Sequence, residues 1–259
     1  MAFNGTSVNT VYQTVLLILN KEQRGLLTPD EFNKIATQVQ LDIFEQYFDD
    51  LNQQLRVPQA DVDYADRVMN VDEKVSIFKA IGTCAFDTDK FSLPTVDDIS
   101  GLSIVYNEDN ITNVNTQVAF YKLGAVTYEQ VSQDPVELQR LQRFDFYNIE
   151  KSKLTKATTA FPTYLYESAK LFVRPTSIQS NIKASFIRKP RNVNWAYSTG
   201  DFGQYVYDSV NSVNFELLPS EQVDITLRVL QYAGVVVRDP QIIQAAASEI
   251  QQNEINQKS

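Results

Sequence analysis

A long amphipathic helix near the start of the chain constrains the fold more than any other feature of the sequence. Thr28-Pro29-Asp30-Glu31 is a capping box with proline at the first helical position, which marks the start of a helix. Pro58 stops the helical pattern after Val57. Such a helix is about 40 Å long at 1.5 Å per residue, so it outreaches a small core. Its apolar stripe consists of Phe32, Ile35, Val39, Ile43, Tyr47, Leu51 and Leu55.

Helical spacing also predicts elements on both sides of this helix. A first helix ends before Gly25, and another helix follows the long one. Toward the C-terminus, Pro219 begins a helix that Gly234 ends, and Asp239-Pro240 caps a last helix after an extended Val235–Val237. The apolar positions of the first helix are Val8, Val11, Val15 and Leu19, and those of the helix after the long one are Val68, Val71, Val75, Phe78 and Ala80. The apolar positions of the helix from Pro219 are Val223, Leu227 and Leu230, and those of the last helix are Ile242, Ile243, Ala246 and Ile250.

From about Gly101 the pattern changes to the β-rich runs that are typical of strands. Asp134-Pro135 opens a short helix through Leu138 and Leu141. The predicted strands are residues 102–106, 116–123, 125–128, 164–166, 170–174, 182–188 and 214–218. No regular βα alternation indicates a parallel sheet, so we predict an α+β fold with long N-terminal helices, a central antiparallel β-region and C-terminal helices. We expect one integrated domain, made of regions 1–100, 101–218 and 219–259.

The chain has no histidine and one cysteine, which restricts its chemistry. Without histidine, the usual serine or cysteine triads, histidine-ligated metals and histidine phosphotransfer are excluded. Asp97-Asp98 and Asp49-Asp50 are candidate acids for a carboxylate-based hydrolase, but neighbouring residues diverge rather than converge on one bond. We expect a protein that is not an enzyme and has no catalytic residues, cofactor or metal site.

Several motifs resemble functional sites only in part. Cys84 lies among apolar residues, so we expect a buried, unreactive thiol. Asp87-Thr88-Asp89 begins like a calcium loop, but Ser92 stands where that loop needs glycine. Thr199–Gly203 lacks the lysine of a phosphate loop and predicts a surface turn. A basic loop or arm is predicted at Lys151, Lys153 and Lys156.

Charge and aromatic residues point to protein interfaces rather than to nucleic acid. The 23 Lys and Arg against 32 Asp and Glu give a net charge of -9, which repels a phosphate backbone. Cations mixed with aromatics suit an intersubunit contact opposite an acidic helix face. The interface candidates are Arg188, Lys189, Arg191, Trp195 and Tyr197 on one side and Asp42, Glu45 and Asp49 on the other. Two alternatives stay open: the tryptophan lies in the monomer core, and the acids form a solvated helix face.

Several segments spread over most of the chain are similar to a known family. They are Val11–Gly25, Leu27–Asn33, Leu171–Pro175, Phe186–Pro190 leading to Trp195, Asn214–Glu221, Leu230–Gly234 and Asp239–Ala245. In these segments the chain resembles virion proteins of crAss-like phages and related short-tailed viruses, which are known as structural, neck or ring proteins. The resemblance implies a component of the head-to-tail connector of a tailed phage.

The resemblance further implies a symmetric ring, twelve-fold, that bridges the portal protein and other neck or tail ring proteins. DNA would meet the ring only as a polyanion passing through its channel, and no membrane would be involved. The protein would be assembled in the cytoplasm of the bacterial host and located in the virion. The alternative function is a tail accessory module that recognises a host-surface glycan through Trp195, Tyr197, Tyr205 and Tyr207.

Overall fold

The computed structural model describes residues 5–21, 27–54, 67–130, 134–237, 244 and 246–252. Within these ranges the chain is α+β, as the sequence predicts. The helices are α1 (Val8–Lys21), α2 (Pro29–Gln54), α3 (Arg67–Ser76), α4 (Arg143–Ile149) and α5 (Gln222–Val237). Short 3-10 helices cover Glu108–Asn110 and Pro219–Glu221, and residues 246–252 are helical. The strands are β1 (Lys79–Thr83), β2 (Ala85–Asp87), β3 (Lys90–Ser92), β4 (Ser103–Val105), β5 (Gln117–Tyr128), β6 (Val136–Glu137), β7 (Gln139–Arg140), β8 (Thr163–Glu167), β9 (Lys170–Arg174), β10 (Ile182–Arg188), β11 (Tyr197–Thr199) and β12 (Tyr205–Tyr207).

The described chain divides into two compact units, a helical unit and a sheet unit. The helical unit consists of the described residues within Met1–Ile77, Thr112–Asn115 and Pro190–Ser259, and the sheet unit of those within Phe78–Ile111 and Thr116–Lys189. Neither unit is one continuous stretch of sequence, because the chain passes between them several times. The sequence-based regions 1–100, 101–218 and 219–259 cut across this division.

The helical unit is built on the two N-terminal helices that the apolar spacing predicts. All four predicted apolar positions of α1 are fully buried. On α2, Phe32, Val39, Ile43 and Tyr47 are buried, and α2 packs against both α3 and α5. The predicted helix end at Pro58 lies outside the described residues, as do Gly25 and the side chains of Leu51 and Leu55.

The predicted capping box at the start of α2 is confirmed. The Thr28 amide and hydroxyl both donate to Glu31 Oε2, at 3.0 and 2.7 Å, and the Glu31 amide donates to Thr28 Oγ1 at 3.4 Å. These hydrogen bonds from Thr28 lower the pKa of the Glu31 carboxyl. The reciprocal bonds satisfy backbone donors that the first turn of a helix leaves without a partner, so they set where α2 begins.

The sheet unit contains two five-stranded sheets. One has the strand order β1-β10-β5-β4, with β6 paired to β5, and the other has the order β2-β3-β9-β8-β7. The pairs β4–β5 and β7–β8 are parallel and the other pairs are antiparallel, so the predicted purely antiparallel region is wrong in these two places. Both sheets contribute to a common apolar core, which includes Phe91, Val126, Leu171 and Ile182.

Most predicted strands of this unit are confirmed, since β4 lies within the predicted residues 102–106 and β5 joins the predicted strands 116–123 and 125–128 into one. β10 covers the predicted residues 182–188, and every second side chain along it is buried. β8 and β9 form the predicted hairpin, joined by Ser168 and Ala169, which both have positive φ, 51° and 57°. Positive φ at both central residues is typical of the hairpin turn whose twist matches that of its strands.

The helix predicted from Val68 through Ala80 is too long. α3 ends at Ser76, Phe78 lies in the following turn, and Ala80 belongs to β1. The burial in β1 alternates, and a Cβ at Gly82 would lie 2.4 Å from Pro94 Cβ, so glycine is required where this strand meets Pro94. Strands therefore begin at Lys79, inside the region that was predicted to be helical.

The short helix predicted from Asp134 through Leu141 is wrong. The segment instead forms β6 and β7, and the chain turns helical only at Arg143. The Leu138 amide donates to the Val126 carbonyl at 2.8 Å, and the Leu141 amide donates to the Tyr164 carbonyl at 2.9 Å. Bonds to two different strands hold this backbone extended, and such distant partners override local helical spacing.

Two C-terminal predictions are also wrong. α5 continues through Gly234 to Val237, so Gly234 does not end the helix and Val235–Val237 is not extended. Residues 214–218 form no strand, although Val213 makes an isolated bridge to Asn194. The last predicted helix is described only in part: Ala246 and Ile250 are buried in a helix, whereas 238–243 lie outside the described residues.

Candidate assembly surfaces

The first two cationic candidates are held inside the sheet unit at the end of β10. Arg188 is 6% exposed, its guanidinium lies 5.8 Å from the centre of the Phe78 ring, and its amide donates to the Phe78 carbonyl at 3.0 Å. Lys189 forms an ion pair with Glu108, and its ammonium lies 5.9 Å from the Tyr121 ring centre. Arg188 therefore offers almost no surface, and Lys189 is half-buried beside its partner.

The third cation, Arg191, belongs to a buried polar network in the helical unit. Its Nε donates to Glu216 Oε1 at 2.8 Å, and its amide donates to Glu216 Oε2 at 2.9 Å. Gln40 of α2 joins the network, since its Nε2 donates to the Arg191 carbonyl and its Oε1 accepts from the Glu216 amide, both at 2.7 Å. The network ties α2 to two loops and gives Arg191 a structural role.

Trp195 lies in the core of the helical unit, the alternative that the sequence left open. Its side chain is 5% exposed, and its ring centre lies 4.6 Å from that of Tyr12. The indole Nε1 donates to Asn9 Oδ1 at 3.0 Å, and the Trp195 amide donates to Asn33 Oδ1 at 2.7 Å. Burial raises the pKa of Tyr12 to about 12.

The chain leaves this core as an exposed aromatic hairpin, which we define as residues 197–207. Its strands, β11 and β12, pair Tyr197 with Tyr207, and the Tyr207 ring centre lies 5.5 Å from that of Trp195. Phe202 at the tip is 95% exposed. The tip turns through Gly203 at a φ of 79°, where a side chain would be strained, so the predicted surface turn is confirmed.

A second exposed apolar surface lies in the sheet unit, on what we call the lysine-rich segment, residues 143–161. The α4 side chain Phe146 is buried, whereas the exposed apolar side chains of the segment are Phe144, Tyr147, Leu154 and Phe161. The predicted basic loop follows α4, and its Lys151, Lys153 and Lys156 are all exposed. Thr155 Oγ1 donates to the Ile149 carbonyl at 3.1 Å, which ties the loop back to α4.

The acidic candidates lie on α2, and one of them has partners within the helical unit. Asp42 accepts from the Tyr232 hydroxyl of α5 at 2.8 Å and from Gln38 Nε2 at 2.7 Å. The hydrogen bond to Asp42 raises the pKa of the Tyr232 hydroxyl. Glu45 and Asp49 are exposed, which agrees with the solvated face that the sequence left open.

One of the two candidate acid pairs, Asp97-Asp98, has structural partners. Asp97 is buried and accepts from the Ile99 amide at 2.9 Å and from the Ser100 hydroxyl, so it stabilises its own turn. Asp98 accepts from Thr83 Oγ1 at 3.1 Å. Asp87 ends β2, and Thr88 and Asp89 form the hairpin turn that leads into β3. In the described ranges, no three Asp, Glu or Cys side chains come together in a group that could hold a metal ion.

A shallow depression lies on the sheet unit beside β6, β7 and β8. The polar side chains that line it are Glu137, Gln139, Arg140 and Tyr164, and burial raises the pKa of the Tyr164 hydroxyl. Glu137 is the one carboxylate in this lining, whereas glycoside hydrolysis uses two acids that face each other. The depression therefore does not offer that pair.

Cys84 is buried, as predicted, and we expect its thiol to react slowly. It is 4% exposed, and burial raises its pKa to about 12. At pH 8 this leaves roughly a thousandfold less thiolate than in an unfolded chain, and the thiolate is the reactive form. Labelling with Ellman's reagent should be at least about a hundredfold slower for the native protein than for the protein in urea. Equal labelling rates in the native protein and in urea would contradict the burial of Cys84. The Cys84→Ala variant has no thiol and gives the background signal.

No protein-family model matches the sequence, and no curated protein is similar to it at a significant level. Among the helices that the structure describes, none is both long and apolar enough to cross a membrane.

Proposed function

We propose that this protein is a structural, non-enzymatic subunit that assembles with copies of itself into a closed ring in the head-to-tail connector of a tailed phage. The observation that carries the proposal is the pair of exposed apolar surfaces, the aromatic hairpin in one unit and the lysine-rich segment in the other. Ring subunits associate head to tail through two different faces, and a rotation between them closes the assembly. One copy of this chain offers two exposed apolar surfaces, one in each unit.

The exposure of these surfaces supports the first part of the proposal. Phe144 and Phe161 are 78% and 80% exposed, and Leu154 and Phe202 are almost fully exposed. Large apolar side chains of this kind, grouped on one hairpin and one segment, are typical of surfaces that a protein partner covers. Aromatic residues are also enriched at the centres of protein interfaces.

The phage assignment rests on the segments that resemble connector proteins, and the charge of the chain is compatible with it. A net charge of -9 disfavours tight binding of DNA, so DNA enters the proposal only as a polyanion that passes through the ring. The proposed partners are other copies of the chain, the portal protein and neighbouring neck or tail rings. The proposed location is the virion, after assembly in the bacterial cytoplasm.

One observation favours a second candidate function, recognition of a host-surface glycan by a tail accessory protein. Tyr197 and Tyr205 are both exposed, with ring centres 4.9 Å apart, and exposed aromatic faces suit sugar rings. Trp195 is buried beneath them and presents little surface to a sugar. Tyr205→Ala is therefore the informative variant, and saturable sugar binding that this variant loses would favour the glycan module over the ring.

The proposed function is tested by the oligomeric state and by the location of the protein in phage particles. We expect mass photometry of the purified protein to show a discrete oligomer, and electron microscopy to show a closed ring with cyclic symmetry. In purified virions, the protein should be present in a copy number that equals the symmetry of one ring. A protein that stays monomeric at all concentrations and is absent from particles would contradict the proposal.

A further inference from the structure

We infer that the aromatic hairpin of one copy docks on the lysine-rich segment of the next copy. This inference rests on the proposed self-assembly and specifies its interface. The occupant of the lysine-rich segment is thus a second copy of this chain. Three features carry the inference: the geometry of the hairpin, the order of the lysine-rich segment and the opposite charges of the two surfaces.

The hairpin presents an apolar tip on an anchored base. A two-stranded hairpin is marginally stable by itself, and each strand here has three residues. Its base is held in the core of the helical unit, because Tyr197 and Tyr207 both stack near the buried Trp195, at 6.0 and 5.5 Å between ring centres. At the other end Phe202 is 95% exposed, so the hairpin carries a large apolar side chain away from that core.

The lysine-rich segment is an ordered surface. Phe144 and Tyr147 lie three residues apart on α4, so they share one face of the helix. In the loop that follows, the Lys156 amide donates to the Ser152 carbonyl at 3.0 Å, and Gln130 Nε2 donates to the Thr159 carbonyl at 3.0 Å. Leu154 is 98% exposed within this hydrogen-bonded loop. A partner would therefore meet a surface that needs little ordering, which lowers the entropic cost of docking.

The two surfaces carry opposite charge. The aromatic hairpin, residues 197–207, contains Asp201 and no lysine or arginine, a net charge of -1. Residues 143–161 contain four basic and two acidic residues, a net charge of +2. Complementary charge steers two surfaces together and discourages the pairing of like surfaces. Hairpin-to-hairpin contact is disfavoured in this way, as is contact between two lysine-rich segments, so the pairing runs head to tail.

The same local arrangement occurs on both surfaces. On the hairpin, the exposed Asp201 precedes the exposed Phe202, and on the loop, the exposed Lys153 precedes the exposed Leu154. Each surface thus places a charge directly beside its most exposed apolar side chain. Asp201 and Lys153 are the pair that we assign across the interface.

A charge exchange tests this assignment. Asp201→Lys brings two lysines together at the interface, and Lys153→Asp brings two aspartates together, so each variant alone should self-associate at least about tenfold more weakly at low salt. The variant with both substitutions should recover association. A one-to-one mixture of the two single variants should also recover it, because every contact between unlike copies then joins opposite charges. Native mass spectrometry measures the self-associated and mixed species.

The mixture separates contact between copies from contact within one copy. A contact within one copy would be restored by the double variant but not by mixing, and that outcome would overturn the inference. Phe202→Ala should weaken association by at least about tenfold, while Ile99→Ala, an exposed apolar residue outside both surfaces, should leave association unchanged. Circular dichroism checks that each variant is folded.

The remaining outcomes distinguish the inference from the proposed function. If the wild-type protein forms rings and neither the charge exchange nor Phe202→Ala affects them, the proposed function stands and this interface is wrong. If the wild-type protein does not self-associate and is absent from virions, both are wrong. If Asp201→Lys and Lys153→Asp each lose association and a one-to-one mixture of the two variants recovers it, the result supports both this interface and the proposed function.

Discussion

Replacing Trp195 by alanine is expected to destabilise the helical unit by about 4 kcal/mol. The indole is 5% exposed, so the substitution leaves a large cavity beside the rings of Tyr12 and Tyr207. It also removes the donor that Asn9 Oδ1 accepts from at 3.0 Å. The base of the aromatic hairpin would lose its anchor at the same time. Urea denaturation followed by far-UV circular dichroism measures the loss.

Two variants separate the contributions to this effect. Trp195→Phe keeps an aromatic ring in the core but removes the indole N–H, so it should cost less than Trp195→Ala, about 2 kcal/mol. Phe202→Ala removes an aromatic side chain that is 95% exposed and should change the free energy of unfolding by less than about 0.5 kcal/mol. A Trp195→Ala variant as stable as Phe202→Ala would show that Trp195 lies on the surface, as an interface anchor would.

Elements with strong local signals could be predicted from the sequence. The capping box at Thr28 sets the start of α2 through bonds between residues three apart, so the local sequence contains all the information. The hairpin of β8 and β9 is likewise joined by a two-residue turn. Strand β10 covers the residues that the β-rich run from Ile182 to Arg188 predicts.

Elements that depend on distant partners could not be predicted. β6 and β7 have two residues each, and their backbone is held by strands β5 and β8, which the local sequence does not reveal. The sequence predicts that Gly234 ends a helix, yet this residue is buried within α5, which continues to Val237. In both cases tertiary contacts outweighed local propensity.

The candidate surfaces could likewise be predicted only in part, because exposure depends on the tertiary fold. The sequence identified a mixture of cations and aromatics between Arg188 and Tyr197, but only exposure separates the buried Trp195 from the exposed Tyr197 two residues later. The predicted surface turn at Thr199–Gly203 includes Phe202, but the sequence does not predict the strands β11 and β12 that place this side chain at a hairpin tip. The sequence does not single out Gln40, because nothing about a polar glutamine beside Val39 indicates that its side chain is buried.

Gln40→Met is the second substitution with a large expected effect, a loss of about 3 kcal/mol in the free energy of unfolding. Methionine is close to glutamine in size and remains helical, so the change removes hydrogen bonds with little change in packing. Gln40 is 1% exposed, and it donates to the Arg191 carbonyl and accepts from the buried Glu216 amide, both at 2.7 Å. Both backbone groups would lose this partner, and the Glu216 amide would have to be buried without the acceptor that Gln40 supplies.

Trp195 is the only tryptophan, so its fluorescence in a urea titration reports the unfolding of the helical unit. Gln38→Met is the matched control on the same helix, because Gln38 is exposed and its hydrogen bond to Asp42 faces solvent. We expect this control to change the free energy of unfolding by less than about 0.5 kcal/mol. Equal effects at the two positions would mean that Gln40 does not join α2 to the loops at Arg191 and Glu216. A loss confined to Gln40→Met would show that this buried amide holds together the part of the helical unit from which the aromatic hairpin extends.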